Sequence, residues 1–404
     1  MRSFRPLTIA TALLAATGLG AAPARAGTAG WHAAWGTAAQ PATPTADWYG
    51  VNWSQQGFAD DTVRQVVRLT GGGSRLRIRL SNVYGDRPLR IAGAVVGRAG
   101  TGAAVRAGTL RTLRFHGRAS TVIPPGREIV SDPAAVRTAP REKLSVTLRL
   151  DEPTGSATFH HFAMATSYRA GGDHLADTRA TAFTRSSGSW YYLTGVETSG
   201  HPGRRTVVAF GDSLTDGVGS TGGADARYPD RLAERLAAAG RPLSVVNAGI
   251  GGNRVLTDSP VYGERALSRF TRDVLDRPGV RSVVVMAGVN DLAAWNETGP
   301  VTAARLIEGH RTLVRLARAR GLTVVGATIM PMGGSAAHTD GGERIRQEVN
   351  HWIRTGGAYD AVADFDHVVA DGDRLRAAYD SGDHIHLNDT GYRAIADAVD
   401  LDTL

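Results

Sequence analysis

Hydrophobic and polar positions follow two different periods along this chain, and the change of period divides it. From about residue 30 to 200 the period is two. Arg75-Leu76-Arg77-Ile78-Arg79-Leu80-Ser81 alternates strictly, and residues 143–150 set Leu144, Val146, Leu148 and Leu150 on one face. Such alternation predicts strands with one buried and one wet face. Turn-forming runs punctuate them: Gly71-Gly72-Gly73, Gly85-Asp86, Pro124-Pro125-Gly126 and Gly171-Gly172. This half reads as an antiparallel β-sandwich or jelly-roll-like domain. From about 204 onward, apolar runs at 206–210, 243–247, 282–287 and 322–329 alternate with amphipathic stretches at 229–239, 262–275, 302–320 and 342–354. A strand–helix rhythm of this kind predicts a parallel sheet covered by helices. The polar, Gly/Pro-containing stretch 198–203 joins the halves, so domains are expected at 27–200 and 201–404.

The first 26 residues fit neither pattern. Arg2 and Arg5 precede an apolar stretch at 7–19 that is too short to span a bilayer, and Ala24-Arg25-Ala26 supplies a small-residue cleavage site. Together these predict a secretory signal peptide cut after Ala26, hence a secreted protein with no integral membrane segment once the signal is removed. Removing three arginines lowers the formal charge from +8 to +5. Lys143 is the only lysine, and the arginines are scattered among 38 acids instead of forming a basic block, so nucleic acid is not expected as a partner. The chain of 404 residues has no cysteine, which excludes disulfides, thiolate metal sites and a cysteine nucleophile. An exported protein without crosslinks depends on core burial for its stability.

Candidate chemistry gathers at the strand ends of the second half. Phe210-Gly211-Asp212-Ser213-Leu214-Thr215 follows the first strand, where open α/β sheets place ligands and a helix N-terminus offers N–H groups. Taken alone, a serine there is more often a helix cap. Near the C-terminus, Asp383-His384-Ile385-His386 places an acid three residues before a histidine, so both can converge on one point. A serine nucleophile needs such a base, and the base needs a group to hold its tautomer. Two further segments, Asn247-Ala248-Gly249-Ile250-Gly251-Gly252-Asn253 and Gly288-Val289-Asn290-Asp291, follow the second and third strands. They offer backbone N–H and amide donors of the kind an oxyanion hole uses, although glycine turns and a loop-satisfying asparagine would look the same.

In this order the four segments resemble the SGNH (GDSL-type) hydrolase family, over about residues 204–400. The resemblance implies a flavodoxin-like three-layer α/β/α domain carrying a Ser–His–Asp esterase that needs no cofactor and no metal. By carry-over Ser213 is the nucleophile, His386 the general base and Asp383 the residue that orients it. The implied oxyanion donors are the Ser213 and Gly252 backbone N–H groups and the Asn290 side chain. Gly252 is preferred to Gly251 as the last glycine of its block, and His384 lacks the family spacing. The first half, at 61–65 and 77–82, is similar to the β-rich N-terminal region of secreted actinobacterial arylesterase- or acylhydrolase-like enzymes. That likeness implies short acyl or acetyl esters, free or linked to polysaccharide, as substrates.

Other readings compete with this one. Gly217-Val218-Gly219-Ser220-Thr221-Gly222 matches G-x-G-x-x-G, but it starts several residues past the strand, which argues against a dinucleotide site and for a loop beside the active site. The chain has no G-x-S-x-G elbow and no H-E-x-x-H motif. Trp31, Trp35, Trp48, Trp53 and Trp190, with His160-His161, would stack sugars if exposed, and belong to the core otherwise. A carbohydrate-binding protein with an inactive hydrolase half is therefore one rival. A lipase or lysophospholipase is the other, although no apolar lid or membrane-binding helix is evident.

Overall fold

The computed structural model describes residues 1, 30–44, 50–296, 299 and 301–404. The signal-peptide segment and Trp48 lie outside the described residues, apart from Met1.

In the first half, two antiparallel sheets share one core. One runs in the order Trp31–Gly36, Leu193–Ser199, Arg75–Ser81, Glu128–Val130. The other runs Arg185–Ser187, Ser167–Gly171, Asp61–Arg68, Lys143–Leu150, Gly93–Arg98, Arg111–Thr112. The alternation expected from sequence is realised. Leu76, Ile78 and Leu80 point inward with Val63, Val67, Val146 and Leu148, while Arg77 and Arg79 lie on the opposite face against Glu197. Trp35, Trp53 and Trp190 are buried in this core and Trp31 lies beneath the Arg77 guanidinium, so none of these four forms an exposed sugar platform.

The second half is built on five parallel strands: β1 (Arg205–Gly211), β2 (Leu243–Gly249), β3 (Val280–Met286), β4 (Thr323–Ala327) and β5 (Ala361–Ala363). Their order is β2-β1-β3-β4-β5, the flavodoxin-like arrangement with its switch point between β1 and β3. Consecutive residues Val207, Val208, Ala209 and Phe210 are all buried, as a strand covered on both faces requires. The covering helices are α1 (Tyr228–Ala238), α2 (Ala303–Arg318), α3 (Asp340–Thr355) and α4 (Asp389–Asp397). Thr302, Thr339 and Asn388 cap the last three through their side-chain oxygens.

The stretch 262–275 departs from the expected single helix. Residues 266–270 form one α-helical turn that continues as a π-helical turn over 271–275. Upstream, the Asn253 amide donates to the carbonyls of Tyr262 and Glu264 (3.2 and 2.7 Å), so these acceptors serve a side chain instead of a helix.

The halves are fused along the β2 edge. Thr70 Oγ1 accepts the Val245 N–H (3.0 Å) and donates to the Val245 carbonyl (2.8 Å), while Ser244 Oγ donates to Ala33 O (2.6 Å). The buried Arg277 reaches the carbonyls of Thr194 (2.9 Å) and Thr37 (2.6 Å). An edge strand that would otherwise offer unpaired backbone groups is thereby covered.

Candidate active site

Ser213 opens a one-turn helix directly after β1, and Asp212 caps it by accepting the Leu214 N–H (3.1 Å). The turn leaves the Ser213 side chain at the C-terminal edge of the sheet. His386 Nε2 lies 2.9 Å from Ser213 Oγ, and His386 Nδ1 lies 2.6 Å from Asp383 Oδ2. The second Asp383 oxygen accepts the backbone N–H groups of His386 (2.8 Å) and Ile385 (3.1 Å). With a carboxylate at Nδ1, that nitrogen carries the hydrogen and Nε2 is left to accept one from the serine. Burial alone would raise the Asp383 pKa. The hydrogen bond and charge of His386, with the two N–H donors, outweigh it and hold the carboxyl well below the usual carboxylate range.

His384 takes no part. Its Nδ1 lies 2.6 Å from Asp380 Oδ2, and its side chain is turned to solvent. The loop that carries the Asp383–His386 pair is pinned at both ends. Asp380 accepts the N–H of Gly382 (2.8 Å), and Asn388, besides capping α4, donates to Ala378 O and Asp380 O.

Facing the serine are three donors. The Ser213 and Gly252 N–H groups donate to no described residue, and Asn290 commits its amide to Asn253 O (3.1 Å) through Nδ2, which has a second hydrogen. The Gly251 N–H, by contrast, donates to Asp216 Oδ2 (3.2 Å). Gly252 has φ +73°, and a Cβ there would lie 2.3 Å from the Tyr262 ring, so the position requires glycine. Asp291 fixes the adjoining segment by accepting the N–H of Val255 and Leu256 (2.8 and 3.0 Å).

Sequence reasoning missed the groups beneath these donors. Arg269, fully buried, donates to Gly211 O (2.7 Å) at the end of β1, Ala248 O (2.8 Å) in β2 and Asn253 Oδ1 (2.9 Å), and pairs with Asp273 (3.1 Å). One guanidinium thus ties the end of β1 to the glycine turn, a use for which its planar fork is suited. Asp212 is buried near Asp291, and burial, aided by that neighbouring charge, pushes its carboxyl up to about 7. Burial likewise pushes Asp291 up to about 6. No spacing in the sequence marks Arg269, since its partners come from three separate segments.

A pocket of about 170 Å³ opens over the serine, lined by Phe162, Val218, Gly252, Tyr262, Asn290, Trp295, Ile385 and the hydrogen-bonded pair Ser213 and His386. Phe162 comes from the sandwich half. The glycine hexad proves to be packing: a Cβ on Gly219 would lie 2.6 Å from Leu387 O and 3.1 Å from His386 Cβ. Thr221 N–H donates to Asp389 Oδ1 (2.7 Å), and Tyr392 OH donates to Val218 O (2.5 Å), so the hexad buttresses the histidine loop.

Residues 209–394 match the model of the GDSL-like lipase/acylhydrolase family. No curated protein matches the chain. Among solved structures, a G-D-S-L lipolytic protein from Desulfitobacterium hafniense aligns at 22% identity and TM-score 0.38, over 48% of this chain and 97% of its own. The aryl esterase of M. smegmatis aligns at 20% identity and TM-score 0.40, over 48% and 95%. A carbohydrate acetylesterase from Sinorhizobium meliloti aligns at 17% and 0.39, over 48% and 96%. The matched residues span the Ser213 turn, the Gly252 turn, Asn290 and the Asp383–His386 loop, so residues 209–394 form a GDSL-like lipase/acylhydrolase domain.

Proposed function

We propose that the protein is a secreted serine esterase acting on short-acyl or aromatic carboxylic esters through an acyl-enzyme. The observation that carries this reading is His386, held between Ser213 Oγ (2.9 Å) and Asp383 Oδ2 (2.6 Å) at the floor of an apolar pocket. His386 takes the Ser213 proton as Oγ attacks the ester carbonyl. The Ser213 and Gly252 N–H groups and the Asn290 amide receive the tetrahedral oxyanion. His386 then returns the proton to the departing alcohol, leaving acyl-serine. Water, deprotonated by the same histidine, releases the acid and restores Ser213. Asp383 stays ionised throughout and stabilises the imidazolium.

Pocket size supports a small acyl or aryl group: about 170 Å³ compares with the ~150 Å³ cavity that admits one benzene. Trp295, 41% exposed, lies at the mouth, so a bulky alcohol such as a sugar chain would remain outside while its acyl group enters. Export rests on the pattern of residues 1–26, and a secreted protein whose first residue is Gly27 is the expected product; an exported protein that retains Met1 would overturn that part.

The test is hydrolysis of p-nitrophenyl acetate and octanoate by the mature protein beside Ser213→Ala. Turnover of acetate, preferred over octanoate and lowered ~10³-fold or more in the variant, is expected. Near wild-type turnover by folded Ser213→Ala overturns the assignment of the nucleophile, and an octanoate preference favours a lipid substrate.

A further inference from the structure

The sandwich half reaches the reaction centre through residues 159–164. His160, buried in the strand Phe159–His160, has Nδ1 3.0 Å from Ala38 O and Nε2 2.9 Å from Asp216 Oδ1. Asp216 closes the one-turn helix that Ser213 opens, and its other oxygen accepts the Gly251 N–H (3.2 Å). Phe162 lies against the same turn: a Cβ on Gly251 would be 2.1 Å from its ring. Ala163 and Met164 continue the contact, their carbonyls accepting from Arg227 (3.3 Å) and Gly223 (2.8 Å).

The proton count around His160 is fixed by its neighbours. Ala38 O only accepts, so Nδ1 bears a hydrogen. Nε2 faces a carboxyl oxygen, so a second proton lies between Nε2 and Asp216, on one or the other. In either form the pair is neutral overall, which a neutral imidazole beside a bare carboxylate would not be. Without that proton, a buried negative charge would stand one residue from Gly252, where the substrate oxygen turns negative in the transition state.

We propose that His160 is a positioning residue for the oxyanion hole: by sharing a proton with Asp216 it fixes the Gly251–Gly252 turn and neutralises the charge behind it, so that the sandwich domain is a working part of the active site. This inference rests on the esterase reading above. Because Ser213→Ala tests that reading separately, an active wild type with a dead Ser213→Ala variant establishes the background in which His160 is judged.

The experiment is a double-mutant cycle on p-nitrophenyl acetate turnover with His160→Leu and Asp216→Asn, each variant being checked by its thermal transition. Asparagine at 216 still accepts the Gly251 N–H and donates to a neutral His160, with no buried charge in the absence of histidine. His160→Leu alone is expected to lower kcat about 10²-fold, the scale of one oxyanion donor, with KM within about threefold. In the Asp216→Asn background the same change is expected to cost less than about tenfold, a coupling that a packing defect alone would not produce. His160→Gln, which keeps a donor toward Asp216 but brings no proton to neutralise it, should recover only part of the loss and serves as the probe if His160→Leu does not fold. A kcat for folded His160→Leu within about threefold of wild type, or equal losses in the two backgrounds, overturns the proposal.

Discussion

Replacing Asp383 by asparagine tests the reasoning about the reacting histidine most sharply, because the outcome follows from which atoms are already committed. One Asp383 oxygen accepts two backbone N–H groups, from His386 at 2.8 Å and Ile385 at 3.1 Å, and the other faces His386 Nδ1 at 2.6 Å. A carboxamide has one oxygen, and only that oxygen satisfies the two N–H donors. Its NH₂ is therefore directed at Nδ1, which must accept. The ring then carries its hydrogen on Nε2, against Ser213 Oγ, and cannot take the serine proton. A wrong tautomer in a triad with the geometry intact costs about 10⁴ in kcat, or roughly 5 kcal/mol of transition-state stabilisation. Substrate binding does not use this bond, so KM for p-nitrophenyl acetate should change by less than about threefold. The fold should be retained, since both N–H donors keep their acceptor; a thermal melt checks this. A folded Asp383→Asn enzyme with kcat within about tenfold of wild type would refute the assignment of the tautomer and, with it, of Asp383.

Gly252→Ala puts a methyl group into the Tyr262 ring at a backbone angle that disfavours side chains; kcat for p-nitrophenyl acetate should fall about 10²–10³-fold, the cost of one oxyanion donor, and an unchanged kcat would show that Gly252 is not one. Asp212 titrates higher in the folded protein (about 7) than in the unfolded chain (3.8), so its ionisation lowers stability progressively from pH 4 to 7 and most fully above 7. Asp212→Asn, which keeps an acceptor for Leu214 N–H, should therefore raise the melting temperature over wild type more at pH 8 than at pH 4.5, toward a ceiling on the order of 4 kcal/mol; an equal effect at both values would refute it.

Much of the site could be read along the chain because its members lie at the ends of strongly patterned elements. The apolar run 206–210 ends where Ser213 begins a turn, and 243–247 ends at the glycines that form the donor turn. Asp383 and His386 meet because three residues of a tight loop bring them together, a local relation that spacing records. The short strand β5 escaped because three residues are too few to show a period. The helix expected at 262–275 was misplaced at its start, since the Asn253 side chain takes two carbonyls that periodicity assigns to a helix.

Sequence by itself determined the two periodicities, the serine, histidine and acid, and the donor types beside them. Tertiary structure alone decided what holds them in register. Arg269 bonds to Gly211, Ala248 and Asn253, and His160 reaches Asp216 across 56 positions. Periodicity reports only which side of an element is buried, not which distant polar group its buried charge will meet. A buried guanidinium or imidazole must find partners wherever the fold brings them, and those partners come from several segments of the chain. Whether the sandwich stands apart from the active site or forms one wall of it was likewise settled by packing, where Phe162 lies against Gly251.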